Sequence, residues 1–250
     1  MEMNLKNSTF NVHFDMFSTG MSTSADHLLC ETFRYALKDY LLLLEKGYPQ
    51  KLVLKMVGDR YSLTGIQRVM LYRGVTIRMN NYGRGYKLTT EDMIADQVIH
   101  VDALNVLITV ASYLSGQVVF VSTDKLLRDA SGVHGKIIKD QLLLRALELS
   151  LSYLSYQKPG EVRFYVDRQV NQAGWIQDTI SRQLEQKEAD CSSVLCENVD
   201  ALLSAVTAGI IATSDSDIID RARVPVFDLP YHILKNSYHP DFIDLRLLSS

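Results

Sequence analysis

The chain has 250 residues, 47% of them apolar and 22% charged, with a formal net charge of −3. These proportions are those of an ordinary globular protein and exclude a disordered tail, a collagen-like repeat or a coiled-coil fibre. No run approaches 18 uncharged apolar residues, and the first twenty hold no apolar stretch with a small-residue cleavage site, so a cytoplasmic protein without a membrane span is expected.

The net charge hides an asymmetry. Residues 1–33 carry −3, residues 34–87 carry eleven basic and three acidic side chains for +8, and residues 88–250 carry −8. A basic lobe joined to an acidic one suggests a polyanionic partner; two solvated surfaces that attract each other explain the same pattern. Cys30, Cys191 and Cys196 are too few for a disulfide framework, and without a second pair they do not make a closed zinc site.

Residues 1–25 show no period and read as an N-terminal extension. From His27 to Lys46 apolar residues recur every three to five positions, which predicts a helix stopped by Gly47. Gln50 to Asp59 reads as a second helix. Thr64 with Gln67 forms a capping-box pattern that opens a third over Gly65 to Tyr72. Three helices with a short last turn have the spacing of a helix-turn-helix. The cations expected to hold a nucleic acid are Lys51, Lys55, Arg60, Arg68 and Arg73, with Arg84 and Arg128 further on. Residues 80–87 (NNYGRGYK) read as a break, and a basic helical domain over 26–90 is expected to precede an α/β domain over 91–250.

Beyond residue 95 strands alternate with helices. Strands are expected at 97–101, 117–122, 161–166, 192–196, 209–213 and 224–227. Helices are expected at 106–114, 140–156, 175–188, 199–208 and 218–222. The alternation implies a mostly parallel sheet covered on both faces. Carboxylates recur where these strands end: Asp102 with Asn105 behind it, Asp167, Asp200, and Asp215 with Asp217. Functional groups of such sheets gather at the carboxyl ends of the strands. Converging carboxylates repel one another unless cations sit among them, and hard oxygen ligands select Mg²⁺ or Mn²⁺. Helix capping is the competing explanation for Asp102, Asp200 and Asp215. Asp124, Asp129, Asp220 and the loop holding Arg128 and His134 read as solvated or turn-forming positions. No GxxxxGK[ST], GxGxxG or G-x-S-x-G motif occurs, and Asp102 lacks the D-x-D-x-T context of a phosphotransferase.

The segments VIHVDALNVL (98–107), FYVD (164–167), ENVDALLSA (197–205), GIIATSDSDIID (209–220) and VPVFDL (224–229) resemble the PIN-like nuclease superfamily, which includes the NYN nucleases. The chain as a whole resembles a prokaryotic family of domains of unknown function. That family joins a small basic helical domain, here 39–74, to a PIN-like domain. The resemblance implies a three-layer α/β/α fold with a metal-binding Asp after the first strand, matched by Asp102, and a late S-D-x-D element, matched by Asp215 and Asp217. Asp167 and Asp200 match the middle acids loosely. The family's middle Glu has no counterpart, and VDRQVNQAGWI (166–176) carries amides where acids are expected.

The expected activity is metal-dependent hydrolysis of a phosphodiester, RNA rather than DNA. Asp102, Asp167, Asp215 and Asp217 would form the catalytic centre, Asn105 would hold the phosphate, and Asp200 would complete the metal ligands. A homodimer is expected from the resemblance. The alternative is a nucleic-acid-binding regulator whose PIN-like domain is inactive.

Overall fold

The computed structural model describes residues 27–130, 140–170, 173–184 and 191–248. The N-terminal extension and His134 lie outside them.

Helix α1 (Glu31–Glu45) turns Phe33, Ala36, Leu37 and Tyr40 inward at helical spacing. It ends as the sequence requires. Gly47 takes a φ of +81°, and the amides of Gly47 and Tyr48 return to the carbonyls of Leu44 and Leu43. Helix α2 (Gln50–Arg60) and helix α3 (Gly65–Gly74) follow. The capping box forms: Gln67 N–H donates to Thr64 Oγ1 at 3.3 Å, and Thr64 N–H to Gln67 Oε1 at 3.0 Å.

The expected break at 80–87 is instead helix α4 (Arg78–Lys87). Its Gly and Asn content disfavours a helix, so tertiary bonds decide the matter. The Arg78 amide donates to Glu45 Oε1 at 2.7 Å, Asn81 bonds Thr76 and Thr123, and Arg84 enters the protein interior.

Past a 3₁₀ turn, the chain builds β1 (Val98–Asp102), α5 (Ala103–Leu114), β2 (Val119–Val121), β3 (Leu127–Asp129), α6 (Asp140–Gln157) and β4 (Glu161–Asp167). It continues through α7 (Ala173–Leu184), β5 (Cys191–Cys196), α8 (Val199–Ser204), β6 (Ile210–Ala212), α9 (Ser216–Arg221), β7 (Val226–Phe227), α10 (Leu229–Tyr238) and β8 (Ile243–Asp244). The main sheet is parallel throughout, in the order β5-β4-β1-β6-β7. The protein is therefore mixed α/β, with a mostly parallel central sheet behind a helical N-terminal region. None of its described helices is long and apolar enough to cross a membrane.

The strand expected at 117–122 forms as β2 but does not join that sheet. It pairs antiparallel with β3 and parallel with β8, making a second sheet of three short strands. An apolar run reports burial, and it does not report which neighbour buries it. Phe120, fully buried, turns into the core of α1–α3 together with Ala130, Leu245 and Leu248. The main sheet has two cores. Val101, Phe164, Val166 and Ala212 face α5, α6, α7 and α10. The alternate residues Tyr165 and Ile211 face α8 and α9. Because strand side chains alternate, Asp102 lies on the Tyr165 side.

Two substitutions test this architecture. A Cβ at Gly74 would stand 2.4 Å from Phe120 Cε2 and 2.7 Å from Leu245 Cδ1. Gly74→Ala should cost about 1–3 kcal/mol in urea unfolding, and unchanged stability would mean the helix is not clamped against the second sheet. Asp228, buried at the end of β7, accepts from the amides of Leu127 (2.6 Å) and Tyr231 (3.1 Å), and burial raises its pKa to about 7. Between about pH 4 and 7 the folded protein then keeps a proton the unfolded chain has released, so stability falls as pH rises through that window. Asp228→Asn should remove up to about 4 kcal/mol of that fall, measured as the difference in unfolding free energy at pH 4.5 and 7.5 against the parent.

Candidate active site at the carboxyl edge of the sheet

In the main sheet β1 lies between β4 and β6, and the chain fills one side of β1 before crossing to the other. The two crossovers leaving the carboxyl ends of β1 and β6 therefore diverge, and in parallel sheets such a switch point is where a ligand crevice is expected. The sequence places acids on both lips.

Asp102 is the last residue of β1 and caps α5; it is 9% exposed. Its Oδ1 accepts from the Asn105 amide at 3.3 Å and its Oδ2 from the Thr213 hydroxyl at 2.9 Å. Thr213 follows β6, and its Oγ1 accepts from the Asp215 amide at 3.1 Å. One threonine thus ties together the two segments that carry Asp102 and Asp215. The Asn105 side chain makes a second tie, its Oδ1 accepting from the amide (2.8 Å) and hydroxyl (3.0 Å) of Ser214. Its Nδ2 has no bond to any described residue.

Asp215 caps α9, taking the amides of Asp217 at 2.8 Å and Ile218 at 3.1 Å on Oδ1. Asp217 is exposed in the first turn of that helix. Asp200 is exposed in the first turn of α8, where Asn198 rather than Asp200 is the cap. Asp167 is half-buried at the end of β4 and accepts from the Gln169 amide at 2.8 Å. Capping therefore accounts for Asp102 and Asp215 locally, while also fixing where their carboxyl groups stand.

These acids act on one another electrostatically. Burial lifts the Asp102 pKa to about 7, against the pull of its bonds from Thr213 and Asn105, and the charges of Asp215 and Asp200 lift it further. Burial also raises Asp200, and Asp215, Asp167 and Asp217 add to that rise, while Arg221 opposes it. All five expected acids thus share one electrostatic neighbourhood. Arg221, which sequence reading passed over, is a cation that acts on Asp200. It lies four residues after Asp217 on the same helix and donates from Nε to the Asp217 carbonyl at 2.9 Å.

Among the described residues no three His, Cys, Asp or Glu side chains stand close enough to form a ready-made metal cage. The donors are all carboxylate oxygens spread around a crevice. That set fits Mg²⁺, which takes one or two carboxylates and completes its shell with waters and phosphate oxygens.

The expected nucleic-acid cations divide sharply. Lys51, Lys55 and Arg60 are exposed on α2; Lys55 pairs with Asp59 at 2.8 Å and Arg60 stands 3.9 Å from Asp39. Such exposed pairs hold their partners weakly. Arg68 lies over Gly58, donates to the Leu63 carbonyl at 3.0 Å and pairs with Asp59 at 3.0 Å, so it fastens the turn between α2 and α3. Arg73 pairs with buried Asp129 at 2.6 Å. Arg84 and Arg128 are 4% and 2% exposed and spend their guanidinium groups inside the protein. Sequence patterning does not distinguish a buried cation from an exposed one.

Known proteins place the chain without supplying an activity. A family model described as Protein of unknown function (DUF434) matches residues 32–89. Another, Domain of unknown function (DUF5616), matches residues 91–232. A helical segment of one such family followed by an α/β segment of a second is the pairing expected from the sequence. An uncharacterized protein of Methanocaldococcus jannaschii, MJ0935, is 26% identical over 194 residues, covering 76% of this chain and 89% of that protein. No solved structure matches. The DUF5616 model spans more than half of the chain, and the chain therefore belongs to the DUF5616 family.

Proposed function

We propose that the protein is a divalent-metal-dependent nuclease of PIN-like fold that hydrolyses phosphodiester bonds, with RNA as the favoured substrate. The observation that carries this reading is that buried Asp102 feels the charges of Asp200 and Asp215, and Asp200 those of Asp167 and Asp217, at the carboxyl edge where the strand order reverses. The sheet order also supports it: numbered within the sheet, the strands run 3-2-1-4-5, one first strand flanked by both halves.

Asp102 and Asp215 would hold Mg²⁺ or Mn²⁺, with Asp200 beside them, and the ion would supply charge neutralisation at the phosphate and an activated water. The remaining work falls to the chain. Thr213 and the Asn105 amide orient the Asp102 carboxyl group. The unbonded Nδ2 of Asn105 donates to a phosphate oxygen, and the Arg221 guanidinium offsets phosphate charge beside Asp200. Asp167 and Asp217 complete the ligand shell or orient water. Lys51, Lys55 and Arg60 on α2 hold the substrate backbone.

Cleavage of labelled RNA and DNA in Mn²⁺, Mg²⁺ or EDTA tests the reading. The parent should cut RNA only with metal, and Asp102→Asn should be slower by about 100-fold or more. Equal rates in the two proteins would end the assignment. No cleavage by either, with salt-sensitive binding by both, would replace it with the regulator lacking catalysis. Reversing Lys51 and Lys55 together to Glu should weaken RNA binding and reduce the slope of log affinity against log salt by about one to two. An unchanged slope would remove α2 from the binding face.

A further inference from the structure

Behind the crevice lies a buried ionic network made of residues distant in sequence. Asp124, 1% exposed, sits in the turn between β2 and β3. Arg128 on β3 grips it with two bonds, 2.6 Å to Oδ1 and 2.9 Å to Oδ2. Arg84 of α4 adds a third, 2.8 Å to Oδ2, and pairs with Asp220 at 2.6 and 2.7 Å. Both arginines then reach the segment that carries Asp215. Ser216 Oγ accepts from Arg84 at 3.0 Å and from Arg128 at 3.1 Å, and the Ser214 carbonyl accepts from Arg128 Nε at 3.2 Å. The residues on either side of Asp215 are thus held from behind by two guanidinium groups. Asn105 holds Ser214 as well, and the Thr213 hydroxyl holds the amide of Asp215 itself.

Internal ion pairs alone would account for the Asp124, Arg84 and Asp220 contacts. They do not account for two cations aimed at one serine hydroxyl next to the acid. A planar guanidinium makes several bonds in fixed directions, so a pair of them constrains the hydroxyl they share more than one flexible ammonium would.

We propose that Arg84 and Arg128 are positioning residues for the candidate site. Through the Ser216 hydroxyl and the Ser214 carbonyl they set the place of the Asp215 carboxyl group opposite Asp102. Helix α4, and with it the N-terminal helical region, is then part of the catalytic geometry as well as a substrate holder. This inference rests on the nuclease reading for its chemistry, although its geometry can be tested separately.

Ser216→Ala in the full chain is the direct probe, because it removes the shared acceptor and leaves the Arg84–Asp124–Arg128 pairs in place. Hydrogen exchange of the amides of residues 214–218 should quicken by about 10-fold or more while β4 and α1 stay protected. Ser216→Thr, which keeps the hydroxyl, should restore the parent rate. In RNA cleavage Ser216→Ala should lower kcat by about 10- to 100-fold with KM unchanged, again rescued by Thr. Arg84→Lys, which keeps the charge and loses the fork, should behave like Ser216→Ala. Parent-like exchange in Ser216→Ala, or a raised KM with kcat intact, would overturn the proposal. Quickened exchange, rescued by Thr, in a protein that cleaves no RNA would uphold the positioning and sink the nuclease reading alone.

Discussion

A carboxylate with almost no access to water must be neutralised within the fold, and Asp124 is that constraint. Its pKa is held well below the usual carboxylate range, because the charge and hydrogen bonds of Arg128, joined by those of Arg84, outweigh the cost of burial. The bonds and charges of Asp220 and Asp124 overcome burial at Arg84 and hold it charged. Removing one partner would leave an uncompensated charge in the interior, so these groups must be brought together for any of them to be buried. Three pieces of chain meet at this point: α4, the β2–β3 turn with Arg128 beside it, and α9 with Ser214 just before it. The second sheet, the docking of α4 and the back wall of the crevice all follow from satisfying one anion.

The front wall has a different logic. Asp102 and Asp215 are helix caps, and capping fixes a carboxyl group against amide donors. At Asp215 the cap takes two amides on Oδ1. At Asp102 it takes one amide, and Thr213 supplies the second bond. Capping a helix does not compete with a functional role for a strand-end aspartate, because the cap itself fixes where the carboxyl group stands.

Local features were legible in the amino-acid sequence where the signal is itself local. The capping box at Thr64 and Gln67, the stop at Gly47 and the strand-end acids could be read directly because each depends on neighbours within a few positions. Helix α4 was not legible, because Gly83, Gly85 and two asparagines argue against the helix that Arg84 and Asn81 hold in place from outside. The membership of β2 in a second sheet was not legible either, since Phe120 looks like any strand residue until α3 and Leu245 close on it. The cations were legible as a count and not as a surface. The segment 34–87 carries +8, yet Arg68, Arg73 and Arg84 are committed to acids or carbonyls within the protein. The cations it leaves exposed are fewer than the count suggests, and they are spread over α1 and its end (Arg34, Lys38, Lys46), α2 (Lys51, Lys55, Arg60) and the start of α4 (Arg78).

The core of the first three helices includes Leu245 and Leu248, some two hundred positions downstream of Phe33 and Tyr40. A chain leaving the ribosome presents α1–α3 long before those leucines exist. In that interval the apolar faces of the helices lack part of their cover, and closing them requires contacts of very long sequence separation, which form slowly. The helical unit therefore finishes last although it is made first. Until residues 245–248 are made, the helices leave uncovered the apolar surface that those leucines later bury.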